Sequence, residues 1–264
     1  MRPFMRAIYI IWYRELLRFF RERTRIISAL AMPLLFLVFF GAGFSHALGN
    51  LASGVDFVTF LFPGIIAMSV LMTSFMSGMS VVWDREFGFL KEVLVTPLSR
   101  SGVALGKALG GATVATAQGA LLLLFAPIIG IALNPLLIAK LLPLMLLLSV
   151  TIASLGILIA SRMKSVQAFQ MAMTVLVFPM IFLSGAFFPV NQVPVWLKTI
   201  IKLNPATYGV DALRQLFLPP QGDTSALGLS LFGQNLGLGG DIAIVALFGA
   251  LTISLSALSF RGQG

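Results

Sequence analysis

The 264-residue sequence has no cysteine and a single histidine. A disulfide framework and a thiolate metal centre are therefore excluded, and His46 alone offers no hydrolytic or metal-ligating constellation. Charge is sparse as well: 10% of residues are Asp, Glu, Lys or Arg, against about 25% in soluble domains. Hydrophobic residues make up 58%, and the mean hydropathy is +1.00. Such a chain does not form a water-soluble globule; its bulk belongs in a bilayer. No ionisable residue falls in the middle of an apolar run. That argues against proton- or ion-coupled transport, which needs such groups near the bilayer centre. The Arg-rich N-terminus does not have the form of a cleavable signal peptide.

What is present is a series of long apolar runs at 26–44, 57–82, 108–133, 141–160, 165–197 and 242–260. About 20 apolar residues in a helix cross roughly 30 Å of hydrocarbon, so each run can cross once. The expected fold is an all-α integral membrane domain over 1–264, with six transmembrane helices at 26–44, 57–82, 103–133, 137–160, 166–186 and 241–260. The fifth run is too long for one crossing and is punctuated by Ser184-Gly185, Pro189 and Pro194. It predicts a span followed by an outer re-entrant helical hairpin over 187–217, because irregular backbone at membrane depth must be covered by protein or line a cavity. Fourteen of the 18 basic residues lie before span 1, between spans 2 and 3, between spans 4 and 5, or after span 6. By the positive-inside rule both termini are cytoplasmic. The net charge of +9 is then explained by anionic lipid, without nucleic acid as a partner.

In residues 1–25, Ile8, Trp12, Leu16 and Phe20 recur every fourth position, with Arg14, Arg18, Arg21 and Arg25 on roughly the opposite side. This predicts an amphipathic helix lying in the membrane interface. The connector WDREFGFLKEVLVTPLSR, residues 83–100, carries Phe87, Leu90 and Leu94 at helical spacing among mixed charges. It predicts a short cytoplasmic helix within 84–99, stopped by Pro97, with Ser99 or Ser101 capping the next helix. Gly102, Gly106 and Gly110 repeat every four residues, a face that lets helices approach closely; with Lys107 they lack the spacing and hydroxyl of a phosphate loop. Farther on, Asn204-Pro205 reads as a cap followed by proline at the first helical position. Trp196, Lys198 and Tyr208 suit the outer interface, and Asp211 with Arg214 suits a local helix pair. In span 2, Ser69, Thr73, Ser77 and Ser80 form a stripe beside Met68, Met72, Met76 and Met79. Soft, adaptable Met side chains could line a path for varied apolar cargo or simply fill gaps between helices. Gln118 reads as an interhelical hydrogen-bonding group.

The connector resembles the cytoplasmic coupling helix of ABC-2 type transporter permeases. The stretch FLSGAFFPVNQVPVWLKTIIKLNPATYGVDALRQLF, residues 182–217, resembles the same family's signature before its last span. The chain is most similar to the small permeases of bacterial drug-resistance, nodulation-factor and polysaccharide export. This resemblance implies a multi-pass permease subunit of an ATP-driven exporter in the bacterial inner membrane, working as a homodimer or a close heterodimer. Separate nucleotide-binding ATPase subunits would carry ATP and magnesium, leaving this chain without a cofactor or a catalytic residue. The counterparts of the ATPase-docking helix would be Arg85, Glu86, Phe87, Gly88, Leu90, Glu92, Thr96 and Pro97. Those of the outer gate would be Pro189, Trp196, Asn204, Pro205 and Tyr208. Met72, Thr73, Met76, Ser77, Phe178 and Phe182 would face an amphipathic or apolar cargo. A different class of function consistent with the residues is a non-transporting sensor or scaffold whose cytoplasmic helix binds a regulatory partner.

Overall fold

Among the described residues, three helices are long and apolar enough to cross a membrane, and a bent pair makes a fourth if counted as one crossing. The computed structural model describes residues 2–48, 56–87, 99–190, 193–218, 230–231 and 234–261. Within them the chain is helical apart from short turns and one pair of two-residue strands, β1 (Ser230–Leu231) and β2 (Gln234–Asn235). The three qualifying segments are Phe57–Glu86, Pro135–Ala160 and Leu238–Ser259, and the bent pair joins Phe4–Arg21 to Ile26–Gly41 at 72°.

In chain order, α1 (Arg2–Arg21) leads into α2 (Arg23–Leu48). Next come α3 (Phe57–Met76) and α4 (Met79–Glu86), separated by the Ser77-Gly78 turn. Ser99 caps α5 (Arg100–Leu123) by accepting from the Gly102 amide at 3.0 Å, so of the two candidate serines it is the one at the N-cap. The third run was expected to stay helical to 133, but α5 ends ten residues earlier. A 3₁₀ turn containing Pro127 follows, and Gly130 at φ +80° turns the chain back; that left-handed conformation favours glycine. Asn134 caps α6 (Pro135–Ala160), and Ser165 caps α7 (Val166–Ala172). A π-helical turn, Met173–Val177, connects α7 to α8 (Phe178–Phe182). The fifth run is thus an apolar helix over Val166–Phe182, shorter than expected because Ser184 and Gly185 (φ +73°) break it. Then come α9 (Val195–Leu203), α10 (Pro205–Phe217) and α11 (Leu238–Arg261).

Helix α3 is the centre of the bundle, packed by α2, α5, α6 and α10. Small residues set these crossings: a Cβ at Gly78 would lie 2.5 Å from the Gly156 carbonyl oxygen, and one at Gly156 would lie 2.5 Å from the Phe75 carbonyl oxygen. The α3–α4 turn is therefore seated directly on α6.

The glycine face of α5 receives α1. Cβ atoms built at Gly102, Gly106 and Gly110 would come within 2.8–2.9 Å of Ala7, Ile11 and Glu15 side chains. This corrects the apolar stripe expected for the N-terminal helix. The buried positions are Ala7, Ile11 and Phe19, whereas Ile8, Trp12 and Leu16 are half-buried and Phe20 is exposed. The stripe is displaced by one position because it answers to the α5 surface, where Trp12 also donates to Thr113 Oγ1 at 3.0 Å. On its other side α1 still exposes Met5, Tyr9, Tyr13 and Phe20, an apolar surface suited to the bilayer interface.

Candidate functional site

Two neighbouring spaces open along α3. The larger, about 270 Å³, lies between α2, α3, α5 and the π turn, with Met32, Met68, Met72, Met76 and Met173 among its walls. The smaller, about 60 Å³, lies nearer α1 and shares Thr73 and Met76 with it. Of the residues expected to line a path, Met72, Thr73 and Met76 border the larger space, and Ser77 borders the smaller one. Phe178 and Phe182 border neither; both side chains are largely exposed, and Phe182 contacts Phe187 with ring centroids 5.4 Å apart. The one amide on the larger cavity wall is Gln118. Its Nε2 donates to the Ala29 carbonyl at 3.0 Å and Ser69 Oγ at 2.8 Å, while its Oε1 accepts from Thr73 Oγ1 at 2.8 Å. Gln118 therefore ties α2, α3 and α5 together where the walls meet.

At the far end of α4, Asp84, Arg85 and Glu86 belong to the helix that continues span 2, not to a new helix beginning at 84. Lys107 is 1% exposed. Its Nζ donates to Asp84 Oδ2 at 2.6 Å and Ser80 Oγ at 3.0 Å. Arg14 Nη2 stands 3.7 Å from the same Asp84 oxygen. Arg85 donates to the carbonyls of Met163 (2.6 Å) and Ser161 (2.9 Å), and Glu86 Oε2 accepts from the Val166 amide at 3.1 Å. Phe87 is 80% exposed. Gly88, Leu90, Glu92, Thr96 and Pro97 lie outside the described residues. Lys107 carried no such signal in the sequence, since it reads as part of a glycine repeat, and its partner is 23 positions away.

Among the α1 arginines, Arg14 pairs with Glu15 at 3.3 Å, and Arg18 pairs with Glu22 at 3.2 Å while lying 5.6 Å from the Trp83 ring centroid. Arg21 is exposed, and the Arg25 side chain is outside the described set.

At the opposite end, the Ser184-Gly185-Ala186 turn lies against α3 at Gly64, where a Cβ would collide with the Ala186 carbonyl oxygen. Arg214, on α10, donates to the Gly185 carbonyl at 2.8 Å and stacks 4.0 Å from the Phe60 ring centroid. Burial pushes its guanidinium down to about 10 against the opposing pull of Asp211, so it stays charged at neutral pH. Asp211 and Arg214 are both buried. Gln215 Nε2 bridges Asp211 Oδ2 (3.0 Å) and Asp241 Oδ2 (2.7 Å), joining α10 to the start of α11.

The expected gate residues divide between cover and support. Trp196 is 66% exposed, whereas Pro189 and Asn204 are buried. Asn204 caps α10 through the Ala206 amide (3.0 Å) and donates to the Met180 carbonyl (2.7 Å), with Pro205 at the first helical position. Tyr208 is turned toward protein: its ring is buried, and its hydroxyl donates to the Lys202 carbonyl at 2.6 Å. The two short helices meet at Asn204, and the tyrosine braces that corner through the Lys202 carbonyl.

The model of the ABC-2 type transporter family matches residues 6–218. The chain is 31% identical over 242 residues to a putative transport permease, ycf38, of Cyanophora paradoxa, covering 89% of this chain and 82% of that protein. It is 29% identical over 215 residues to nodulation protein J of Rhizobium leguminosarum bv. trifolii, covering 81% and 79%. A probable multidrug ABC transporter permease, YbhR, of Escherichia coli K12 is 31% identical over 169 residues, 62% of this chain and 45% of that protein.

Proposed function

The chain belongs to the ABC-2 type transporter family, a multi-pass membrane permease subunit, and from that membership we propose that it forms the translocation path of an ATP-driven exporter. In this reading the chain crosses six times, at 26–44, 57–82, 100–123, 135–160, 166–182 and 238–261, and both termini are cytoplasmic. A homodimer, or a close heterodimer, works with separate ATPase subunits that hold ATP and magnesium, in a bacterial inner membrane. The connector 87–99 forms the docking segment, after the span-2 helix has ended at Glu86, and 187–217 form the outer re-entrant hairpin.

The observation that carries the reading is the methionine-walled cavity. It combines adaptable apolar walls with Thr73 and a Gln118 amide that is already hydrogen-bonded, so it favours an amphipathic or apolar cargo of variable shape over a sugar or an ion. The drug-like, lipid and glycolipid end of the family's range fits these walls best. Filling the cavity tests this directly. Met76→Trp is expected to lower cargo export at least about tenfold while leaving membrane insertion, assembly and ATP hydrolysis intact, as expected for a side chain acting on cargo alone. Unchanged export of lipophilic dyes and lipids by reconstituted vesicles would remove the cavity from the path.

The partner is tested separately. Phe87, a large aromatic side chain 80% exposed on the protein surface, has the character of an anchor awaiting a pocket. Phe87→Asp is expected to abolish recovery of an ATPase subunit when the permease is purified in mild detergent. Recovery at the wild-type level would show that docking does not use Phe87.

A further inference from the structure

Three consecutive charged residues end α4, and each grips a different neighbour. Asp84 takes the Lys107 ammonium from α5 and stands near Arg14 of α1. Arg85 spreads its guanidinium across two carbonyls, those of Ser161 and Met163, at the C-terminal end of α6. Glu86 accepts the amide of Val166, the first residue of α7. Carbonyls at a helix C-terminus favour a cation, and amides at a helix N-terminus favour an anion. Arg85 and Glu86 therefore sit on opposite sides of the short α6–α7 turn with the sign that each side prefers.

The same turn is held from the apolar side by Phe169, whose ring stacks on Phe75 with centroids 5.2 Å apart. From α7 the chain runs directly into the π turn whose first residue, Met173, borders the cavity. The planar fork of Arg85 fixes two acceptors at once, a geometry that an ammonium cannot reproduce.

We propose that the Asp84-Arg85-Glu86 triplet divides movement of the connector beginning at Phe87 into two branches. One passes through Arg85 and Glu86 to the α6–α7 turn and on to the cavity wall at Met173, and the other passes through Asp84 and Lys107 to α5 and α1. Arg85 and Glu86 are then positioning residues inside the permease, not contacts of its partner as the sequence suggested. The proposal rests on the reading of the connector as the ATPase contact.

The absence of cysteine from the chain makes site-specific labelling direct. Two measurements separate the fastening from its use. In the full-length permease alone, in nanodiscs, Arg85→Met is expected to raise hydrogen exchange across 163–168 at least about tenfold, the loss of charge-assisted bonds. Unchanged exchange overturns the proposal.

In the complex with its ATPase, spin labels at Lys164→Cys and Ile128→Cys, both exposed positions, report the distance from the α6–α7 turn to the opposite end of α5. ATP with vanadate is expected to shift that distance in the otherwise wild-type chain. Arg85→Met should abolish the shift while ATP hydrolysis continues, and Arg85→Lys should restore it only in part. A shift that survives Arg85→Met, or no shift in the wild-type chain, overturns the transmission. If no ATPase is recovered at all, the functional reading fails and the transmission with it, whereas the exchange result still shows whether the triplet fastens the turn.

Discussion

Lys107→Met, made with Asp84 left in place, is expected to destabilise the permease by about 3 kcal/mol or more, because removing one member of a buried ion pair strands the other. The lysine is almost completely buried, and its ammonium is held by Asp84 and Ser80. Arg14, at 3.7 Å, moderates the cost by compensating part of the Asp84 charge. Asp84→Asn is expected to be the more damaging of the two, since it leaves a buried ammonium hydrogen-bonded to Ser80 and a neutral amide, with Glu15 as the remaining carboxylate acting on it. The double substitution Lys107→Met with Asp84→Asn should recover much of the loss, because neutralising both groups leaves no unpaired buried charge. The measurement is a double-mutant cycle of thermal unfolding in detergent, with membrane yield alongside. Additive effects in that cycle would mean that the pair is not coupled, contrary to the 2.6 Å contact.

Gly64→Val is expected to act at the other end of the molecule with comparable force. A side chain there meets the Ala186 carbonyl oxygen, part of a backbone turn that Arg214 already holds through Gly185. Backbone has little room to yield, so the turn must lift from α3 or α3 must bend, at an overpacking cost of about 1–3 kcal/mol or more. Val190 is buried beside Gly185. A cysteine at Val190 is therefore expected to react with maleimide at least about tenfold faster in the Gly64→Val chain than in its absence, with Gly64→Ala intermediate. Equal labelling would show that the turn tolerates the side chain without opening.

Much of this architecture was legible locally. The caps at Ser99 and Asn204, and the proline opening α10, follow from side-chain chemistry within four residues and appear as expected. The repeat at Gly102, Gly106 and Gly110 announced a close helix contact, yet it could not say that α1 makes it. That choice depends on the whole packing, and so the buried side of α1 was misjudged by one position. The burial of Tyr208 was not legible for a related reason: an aromatic ring with a polar tip suits an interface or a buried hydrogen bond equally well, and the choice depends on the corner at Asn204 that brings the Lys202 carbonyl within reach. The Met and Ser/Thr stripes of span 2 indicated where a cavity could lie, and Met72, Thr73 and Met76 do border one. Phe178 and Phe182 do not, because the π turn before them and the break at Ser184-Gly185 set a course that no regular 3.6-residue period describes. The charged triplet was visible as charge but not as fastening, since Arg85 and Glu86 find their acceptor and donor some 80 positions away.

The π turn at Met173–Val177 is in effect one surplus residue held inside an otherwise α-helical segment. Each residue of an α-helix advances the face by about 100°, so restoring α geometry there would swing α7 and α8 out of phase by about that angle. A single-residue deletion, by contrast, takes out the surplus and keeps α7 and α8 in phase, so the anchorage at Glu86 and the outer turn at Gly185 stay where they are and only the side chains of the turn itself, near Met173, change the way they face. Pocket lining and scaffold are separable at this point of the chain, and the walls of the cavity can change through length instead of through substitution.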